Sequence, residues 1–493
     1  MSVITRGHIM IYLDHAATTA PRREVLEAMW PWLTGGFGNA SSHHERGQRA
    51  ARALEDARQR VAAVLGARPG EIIFTSGGTE ADNLAVKGIA LARQERQPSR
   101  HRVLVSAIEH DAVLESARAL AQHDGFETLE LPVDPSGALS PDTFRAALVS
   151  DDAARTLPDR AAPSRGVASH APPGNSSASD PTTVAVASVM LANNEVGTVQ
   201  DIRALAEIAA EYGVPLHTDA VQAAGTLPLN VEDLGVAALT LAGHKIGTPP
   251  GIGLLWLKRG TPLRPLLNGG GHERGRRSGT STVAGAVSLA VALELAERER
   301  VAYAARSTAL RDRLISGILN SVPDAILTGQ DPRNVVGGLG NGGATPATPD
   351  GPAASADPAV SVDPAVSVDP PTSITSDGLI PPAGRATATV GATSGRNGIT
   401  RLPTNASFCF PGVNGETVLV DLQNLGVLVS SGSACAAGSS EPSHVLTALG
   451  IPAELATTSV RFSLGRETTE AHVDSAVRAT AQVIAHLRGE HAL

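Results

Sequence analysis

Short apolar runs that end in glycine or other small residues recur along this chain, and each is followed by a stretch with helical spacing. Residues 71–75 (EIIFT) close on Ser76-Gly77-Gly78, and residues 103–105 form a second run. Residues 184–191 and 236–241 have the composition of strands buried on both faces. Between them lie helical stretches such as 202–212, where Ile202, Leu205, Ala206, Ile208 and Ala209 share a face and Gly213 is placed to end the helix. Strand, helix, strand in this rhythm predicts parallel βαβ units and a mostly parallel sheet covered on both sides. The expected class is therefore α/β. In such sheets ligands bind beyond the carboxyl ends of the strands, so the residues just after each run are the candidates for chemistry.

Two stretches depart from this rhythm. Residues 151–181 and about 331–404 lack aromatic residues, and the second carries the near-repeat DPAVSV at Asp357 and Asp363. Segments of this composition bury too little apolar surface to offset the entropy of ordering them, so both read as surface insertions. The charge balance is 40 basic against 49 acidic residues, a net −9, which argues against general nucleic-acid affinity. Two cysteines, Cys409 and Cys435, exclude a disulfide framework and a Cys-based zinc site, and no metal is expected. The most apolar stretch, 283–296, is interrupted by Ser288 and Glu294, so no membrane span is expected. The N-terminal stretch before Asp14 is too short for a signal peptide. A soluble, cytoplasmic protein is the expectation.

Four strand-end motifs stand out. Thr75-Ser76-Gly77-Gly78-Thr79-Glu80 turns from a strand into a helix, with Glu80 and Asp82 as first-turn acids that complement the helix dipole. Its backbone N–H groups and the Thr79 hydroxyl could cradle an anion, or the turn could be a plain glycine loop with a threonine cap. It matches neither the dinucleotide fingerprint nor the P-loop. Val214 to Gln222 delivers Asp219 at a strand end, where a buried carboxylate needs a positive partner. Leu239 to Lys245 delivers His244 and Lys245 through a small-residue turn. Taken singly, Asp219 reads as an N-cap and Lys245 as a surface lysine. Together with the glycine turn they fit pyridoxal phosphate, which needs a Schiff-base lysine, a carboxylate at its ring nitrogen and a phosphate cradle. The fourth motif, Ser430 to Ser440, sets Cys435 among small residues, as a mobile reactive thiol or as a small buried residue. Cys409 alternates with Phe408 and Phe410 and reads as inert core.

In order, the motifs ATT (from Ala17), FTSGGTEADNLA (Phe74), IEHDAV (Ile108), ANNEVG (Ala192), HTDAVQ (His217), GHKIG (Gly243), GGGHERGRRSGT (Gly269), SSGSAC (Ser430) and VRFSLGR (Val460) resemble those of the cysteine desulfurases. These are pyridoxal-phosphate enzymes of the class V aminotransferase group. The resemblance implies the fold type I architecture, with a large cofactor-binding domain at 21–265 and a smaller α+β domain formed by 1–20 with 266–493. It implies a catalytic set of Lys245, Cys435 and His110. Lys245 forms the Schiff base and moves the substrate Cα proton, and Cys435 is the nucleophile. Gly78, Thr79, Asn194, Asp219, Gln222 and His244 would hold the cofactor, with Thr280 reaching the partner subunit's phosphate. Arg461 would clamp the substrate carboxylate, with Asn39 beside it. The SSGSAC form resembles the branch that supplies iron–sulfur assembly and tRNA thiolation. The implied partners are L-cysteine, a second copy in a homodimer, and a sulfur acceptor such as an iron–sulfur scaffold or tRNA thiolase. Two positions depart from the pattern. Ala242 replaces a frequent serine, removing one hydroxyl bond to the phosphate, and Ala40 follows Asn39 where proline is usual. The alternatives are a selenocysteine lyase, another class V aminotransferase, or a non-catalytic sulfur-transfer scaffold.

Overall fold

The computed structural model describes residues 4–5, 8–149, 182–335, 400–432 and 441–490. The first insertion, most of the second, and Cys435 lie outside the described residues. At the N-terminus, β1 (Ile4–Thr5) and β2 (His8–Ile9) pair as a hairpin, followed by β3 (Ile11–Tyr12). Seven strands then build the main sheet: β4 (Ile72–Thr75), β5 (Arg102–Ser106), β6 (Glu127–Leu131), β7 (Val184–Ser188), β8 (Leu216–Asp219), β9 (Ala238–Ala242) and β10 (Gly253–Leu257). Their order is β4-β10-β9-β8-β7-β5-β6, with β10 antiparallel to both neighbours and every other pairing parallel. Later come β11 (Ile326–Leu327), β12 (Asn405–Cys409), β13 (Val427–Leu428) and β14 (Ser459–Ser463). β11, β12 and β14 form an antiparallel sheet, and β13 pairs in parallel with β3.

The burial of the strands follows from their composition. β4, β5, β7, β8, β9 and β10 are buried at every position, as a sheet covered on both faces requires. Alternate residues divide between two cores: Ile72 and Phe74 join one, and Ile73 joins the other with Ala81, Leu84 and Ala85 of the Gly78–Arg96 helix. β6, at the edge, keeps Glu127 and Glu130 in solvent. The helix expected over 202–212 runs Ile202–Glu211, capped by Asp201 at its start. Gly213 follows with φ 60°, a left-handed conformation in which its N–H closes on Ala210 O (3.1 Å). The run 184–191 outlasts its strand, yet Val189 N still donates to His217 O (3.0 Å) and Leu191 N to Asp219 O (2.8 Å).

The 39-residue helix Val283–Ser321 serves two cores. Residues from Val283 to Ala296 pack into the main-sheet core, whereas Leu310, Leu314, Ile315 and Ile318 pack with β12 and β14. The boundary expected at 265/266 falls before this helix, and the passage between cores occurs inside it. The second insertion is also shorter than its composition implied. Pro332–Val335 forms a 3-10 turn, and residues 400–404 belong to the folded body. Val199 N donates to Thr400 O (3.0 Å), Leu402 enters the main core, and buried Arg401 donates to the carbonyls of Thr328, Gln330 and Asn405. Burial, with Arg311 nearby, pushes the Arg401 guanidinium down to about 9. Averaging Pro, Thr and Gly over a long window concealed five residues whose apolar side chain and backbone bonds place them inside. Among the described residues no helix is long and apolar enough to cross a membrane.

Candidate active site

A cavity of about 570 Å³ opens at the carboxyl ends of the main strands. Gly78 and Thr79 follow β4, His110 follows β5, Asn194 follows β7, Asp219 ends β8, and His244 and Lys245 follow β9; all line the cavity. Gln222 joins them from the turn after β8, and Arg461 projects in from β14. A Cβ added to Gly78 would stand 3.2 Å from Val221 Cγ2 and 3.3 Å from Ala242 Cβ, so glycine keeps this end of the cavity narrow and side-chain-free. The 19-residue helix that starts at Gly78 turns the positive end of its dipole to the same place. His110 caps the next helix, its Nδ1 accepting from Ala112 N (3.1 Å). Burial and the Lys245 charge hold His244 down at about 4, so its imidazole is neutral, and its Nδ1 lies 3.2 Å from Thr18 Oγ1.

The N-terminal turn after β3 closes one wall. Lys245 Nζ donates to the carbonyls of Ala16 and Ala17, the latter at 2.7 Å, and Gln222 Nε2 donates to Ala16 O (3.1 Å). Arg461 donates through Nη2 to Asp14 Oδ1 (2.8 Å) and through Nη1 to Asn194 O (3.2 Å). Its backbone exchanges both hydrogen bonds with Ser430, which ties the start of the SSGSAC motif to the strand that carries Arg461. Beyond the motif, Ser443 Oγ donates to Glu195 Oε2 (2.6 Å). Gly432 and Glu441, the described residues on either side of the segment holding Cys435, both line the cavity.

A primary amine, a buried carboxylate, a helix N-terminus and a guanidinium thus face one volume. The model of the aminotransferase class V family matches residues 11–155, 177–337 and 392–475. The chain belongs to this family. Among curated relatives, the IscS-like cysteine desulfurase of Mycobacterium tuberculosis is 38% identical over 480 residues, covering 97% of each chain. The cysteine desulfurase NifS of Azotobacter vinelandii is 36% identical, covering 97% of this chain and 93% of that one. A solved NifS-like protein aligns with a TM-score of 0.71 at 27% identity, covering 97% of this chain and all of the other.

The cavity has a buried acidic side: Asp82, Glu109 and Asp219 all line it and all are buried. Burial pushes each carboxyl upward, the Asp219 charge raises Asp82 and Glu109 further, and His110 and Lys245 pull Asp219 itself back down. Asp82 Oδ1 accepts from Thr240 Oγ1 (2.6 Å), and His217, held neutral by burial at about 3, sits with Nε2 3.7 Å away. Of the two acids expected in the first turn of the helix, Glu80 lies there, and Asp82 lies just past it and is buried. The helix phase turns Glu80 outward to Arg277 (2.7 Å) and Asp82 inward.

Glu109 gives a pH test. Its Oε1 accepts from Ser106 Oγ (2.5 Å) and Met190 N (2.7 Å), while Oε2 is buried without a hydrogen-bond partner among the described residues. Burial raises the carboxyl from 4.5 to about 8. Above 4.5 the unfolded chain releases this proton while the folded chain keeps it, so stability is lost as pH rises toward 8, by at most about 1.4 kcal/mol per unit. Glu109→Gln keeps the accepting oxygen and removes the ionisation. Its thermal midpoint relative to wild type is expected to rise steadily from pH 5 to pH 8. A difference that does not vary with pH would contradict a proton held on Glu109.

Nine of the sequence candidates line the cavity together: Gly78, Thr79, His110, Asn194, Asp219, Gln222, His244, Lys245 and Arg461. Asn39 and Thr280 do not. Asn39 is exposed and its Oδ1 accepts from Ser41 N (2.9 Å), fixing its own turn. Thr280 is exposed on a loop pinned by Arg277 to Glu80 and by Glu273 to Arg58 (2.7 Å), with Glu273 and Arg274 at positive φ. Cys409 is fully buried on β12, which pushes its thiol up to about 11, in keeping with an inert core residue. Asp14, Glu109 and Glu195 are site residues that motif reading missed. Asp14 follows an apolar run as Asp219 does, and that signal was available.

Proposed function

We propose that this chain is a pyridoxal-phosphate-dependent cysteine desulfurase that converts L-cysteine to L-alanine and leaves a persulfide on Cys435. The observation that carries the reading is the meeting of Lys245, Asp219, the Gly78–Thr79 helix start and Arg461 in one cavity. The donor set fits the cofactor: an amine for its aldehyde, a buried acid for its ring nitrogen, and a glycine-lined helix N-terminus for its phosphate. Gly78, Thr79 and His244 would hold the phosphate, Asp219 the ring nitrogen, Asn194 and Gln222 the phenolic side, and His110 the ring face. When bound, the cofactor supplies an electron sink that acidifies the substrate Cα and makes its sulfur electrophilic.

The chain's own groups do the rest. Arg461 engages the substrate carboxylate and so orients Cα toward Lys245. Lys245 Nζ takes the Cα proton and gives it back to Cα after the sulfur has left. The Cys435 thiolate attacks the substrate sulfur; an S–S bond forms as the C–S bond breaks, the electron pair stays on carbon, and that carbon is protonated and leaves as alanine. The persulfide then passes to an acceptor, an iron–sulfur scaffold or a tRNA thiolase. Such a transfer needs a thiol that can reach an acceptor, and the small residues of the SSGSAC motif around Cys435 suit that need. Cytoplasmic localisation completes the proposal, and cell fractionation tests it.

Incubating the purified protein with L-cysteine and a reductant should yield alanine and sulfide in equal amounts. No alanine from a cofactor-loaded sample would end the proposal. The same assay with selenocysteine separates a lyase, which would favour the selenium substrate, and transamination would give a keto acid instead.

The proposed assembly is a homodimer in which each subunit's Thr280 completes the other's phosphate site. Leu26, Trp30, Leu33 and Phe37, on and just after the Arg23–Leu33 helix, are exposed and need a cover. Obligate interfaces of this kind bury roughly 2,000 Å² or more, so the dimer should persist at micromolar concentration in sedimentation. A fully active monomer would refute it.

A further inference from the structure

Asp14 belongs to no role assigned above, yet it touches the group that reads the substrate. Its carboxylate accepts from Arg461 Nη2 at 2.8 Å, with the arginine side chain 2% exposed and the aspartate 20%. The backbone around Asp14 is held on three sides. Leu13 N donates to Leu428 O (2.8 Å), Ser463 N donates to Leu13 O (2.7 Å), and Ala16 N donates to Ser463 Oγ (2.8 Å). Tyr12 Oη closes the turn by donating to the carbonyls of Asp14 (3.0 Å) and Thr18 (3.1 Å). The carboxylate is therefore set in place by a braced turn rather than by a free side-chain search.

Asp14 and the Asn194 carbonyl together occupy two of the five N–H groups of Arg461, one on each terminal nitrogen. Two fixed acceptors on different nitrogens define the plane of a guanidinium. The Nε–H, buried and without a hydrogen-bond partner among the described residues, is left for a ligand along with the remaining terminal N–H groups. Without Asp14, Arg461 keeps one anchor and can swing about it.

We propose that Asp14 is a positioning residue for Arg461: it fixes the guanidinium plane so that its free N–H edge meets the carboxylate of an amino-acid substrate. The proposal rests on the reading of Arg461 as the carboxylate clamp. It assigns Asp14 an effect on carboxylate binding and none on the reacting atoms.

The test compares wild type, Asp14→Ala, Asp14→Asn and Arg461→Ala as cofactor-loaded proteins. L-Alanine, which carries the carboxylate, and cysteamine, which lacks it, are titrated by calorimetry, and KM and kcat for cysteine are measured in parallel. Asp14→Ala is expected to weaken alanine binding and raise KM about tenfold or more, with kcat within a few-fold and cysteamine binding unchanged. Asp14→Asn, whose amide oxygen can still accept from Nη2, should stay within about threefold of wild type, as positioning by a hydrogen bond requires. Should Asp14→Ala fail to fold, Asp14→Ser replaces it, because its side chain is too short to reach Nη2. Wild-type alanine affinity in Asp14→Ala, equal weakening of cysteamine, or failure of Asp14→Asn to rescue would overturn the proposal. Arg461→Ala is the control: if it binds alanine as wild type does, the clamp reading itself fails. If it binds weakly while Asp14→Ala does not, only the role of Asp14 fails.

Discussion

Replacing Lys245 with alanine should abolish the visible absorption band of covalently bound cofactor and, with it, alanine production. Among the described residues Lys245 is the only lysine that lines the cavity, its amine held by the Ala16 and Ala17 carbonyls next to the Asp219 strand end. A neighbouring amine cannot replace it, because the arginines that line the cavity, Arg118 and Arg461, carry guanidinium groups that stay protonated. The phosphate cradle, Asp219 and Gln222 are untouched by the substitution, so the variant should still take up pyridoxal phosphate, now without a covalent bond. Borohydride reduction followed by denaturation should leave the cofactor's mass on wild type and none on Lys245→Ala. Turnover should fall by several orders of magnitude, as when other enzymes lose a covalent catalytic group. A colourless wild type that takes up no added cofactor would end the cofactor reading. So would a variant that keeps the covalent adduct.

That such a site could be assembled from sequence has a physical basis. In a doubly covered parallel sheet, apolar runs mark the strands, and a polar residue placed directly after one must lie at the sheet's edge, where ligands bind. Asp219, Lys245 and the Gly77-Gly78 turn all carry that mark. Arg461 carries another, since Val460 and Phe462 on either side face the core and alternation sends Arg461 to the opposite face. What stayed hidden depends on pairings between distant segments. Asp14 acquires its meaning from Arg461, 447 residues away, through a two-residue strand, β3, too short to announce itself. Asp82 is legible as an acid near a helix start, but a few residues of helix do not reveal which side faces the sheet. Only the packing of Ala81, Leu84 and Ala85 turns it inward onto Thr240. Residues 400–404 were lost to a composition window, although Leu402 and Arg401 are among the most buried side chains of their region.

Cys435→Ala is the experiment that separates a desulfurase from its relatives of the same fold. The substitution leaves Lys245, Asp219, Thr79 and Arg461 in place, so the variant should bind the cofactor and still change its spectrum when cysteine is added. What it should lose is sulfur release, because no thiolate remains to attack the substrate sulfur. The chain's other thiol cannot substitute. Cys409 is fully buried on β12 and pushed up to about 11, so at neutral pH it is neither accessible nor ionised. Loss of a nucleophile in other enzymes costs on the order of 10⁴-fold or more in rate, and alanine formation by Cys435→Ala should fall on that scale. Selenocysteine cleavage should survive better, since a weaker carbon–selenium bond depends less on the thiol. Alanine is measured for wild type and variant side by side, with and without a reductant that can accept sulfur. If alanine formation by the variant stays close to wild type without reductant, Cys435 is not the nucleophile, and the cavity built around Lys245 and Arg461 belongs to a lyase.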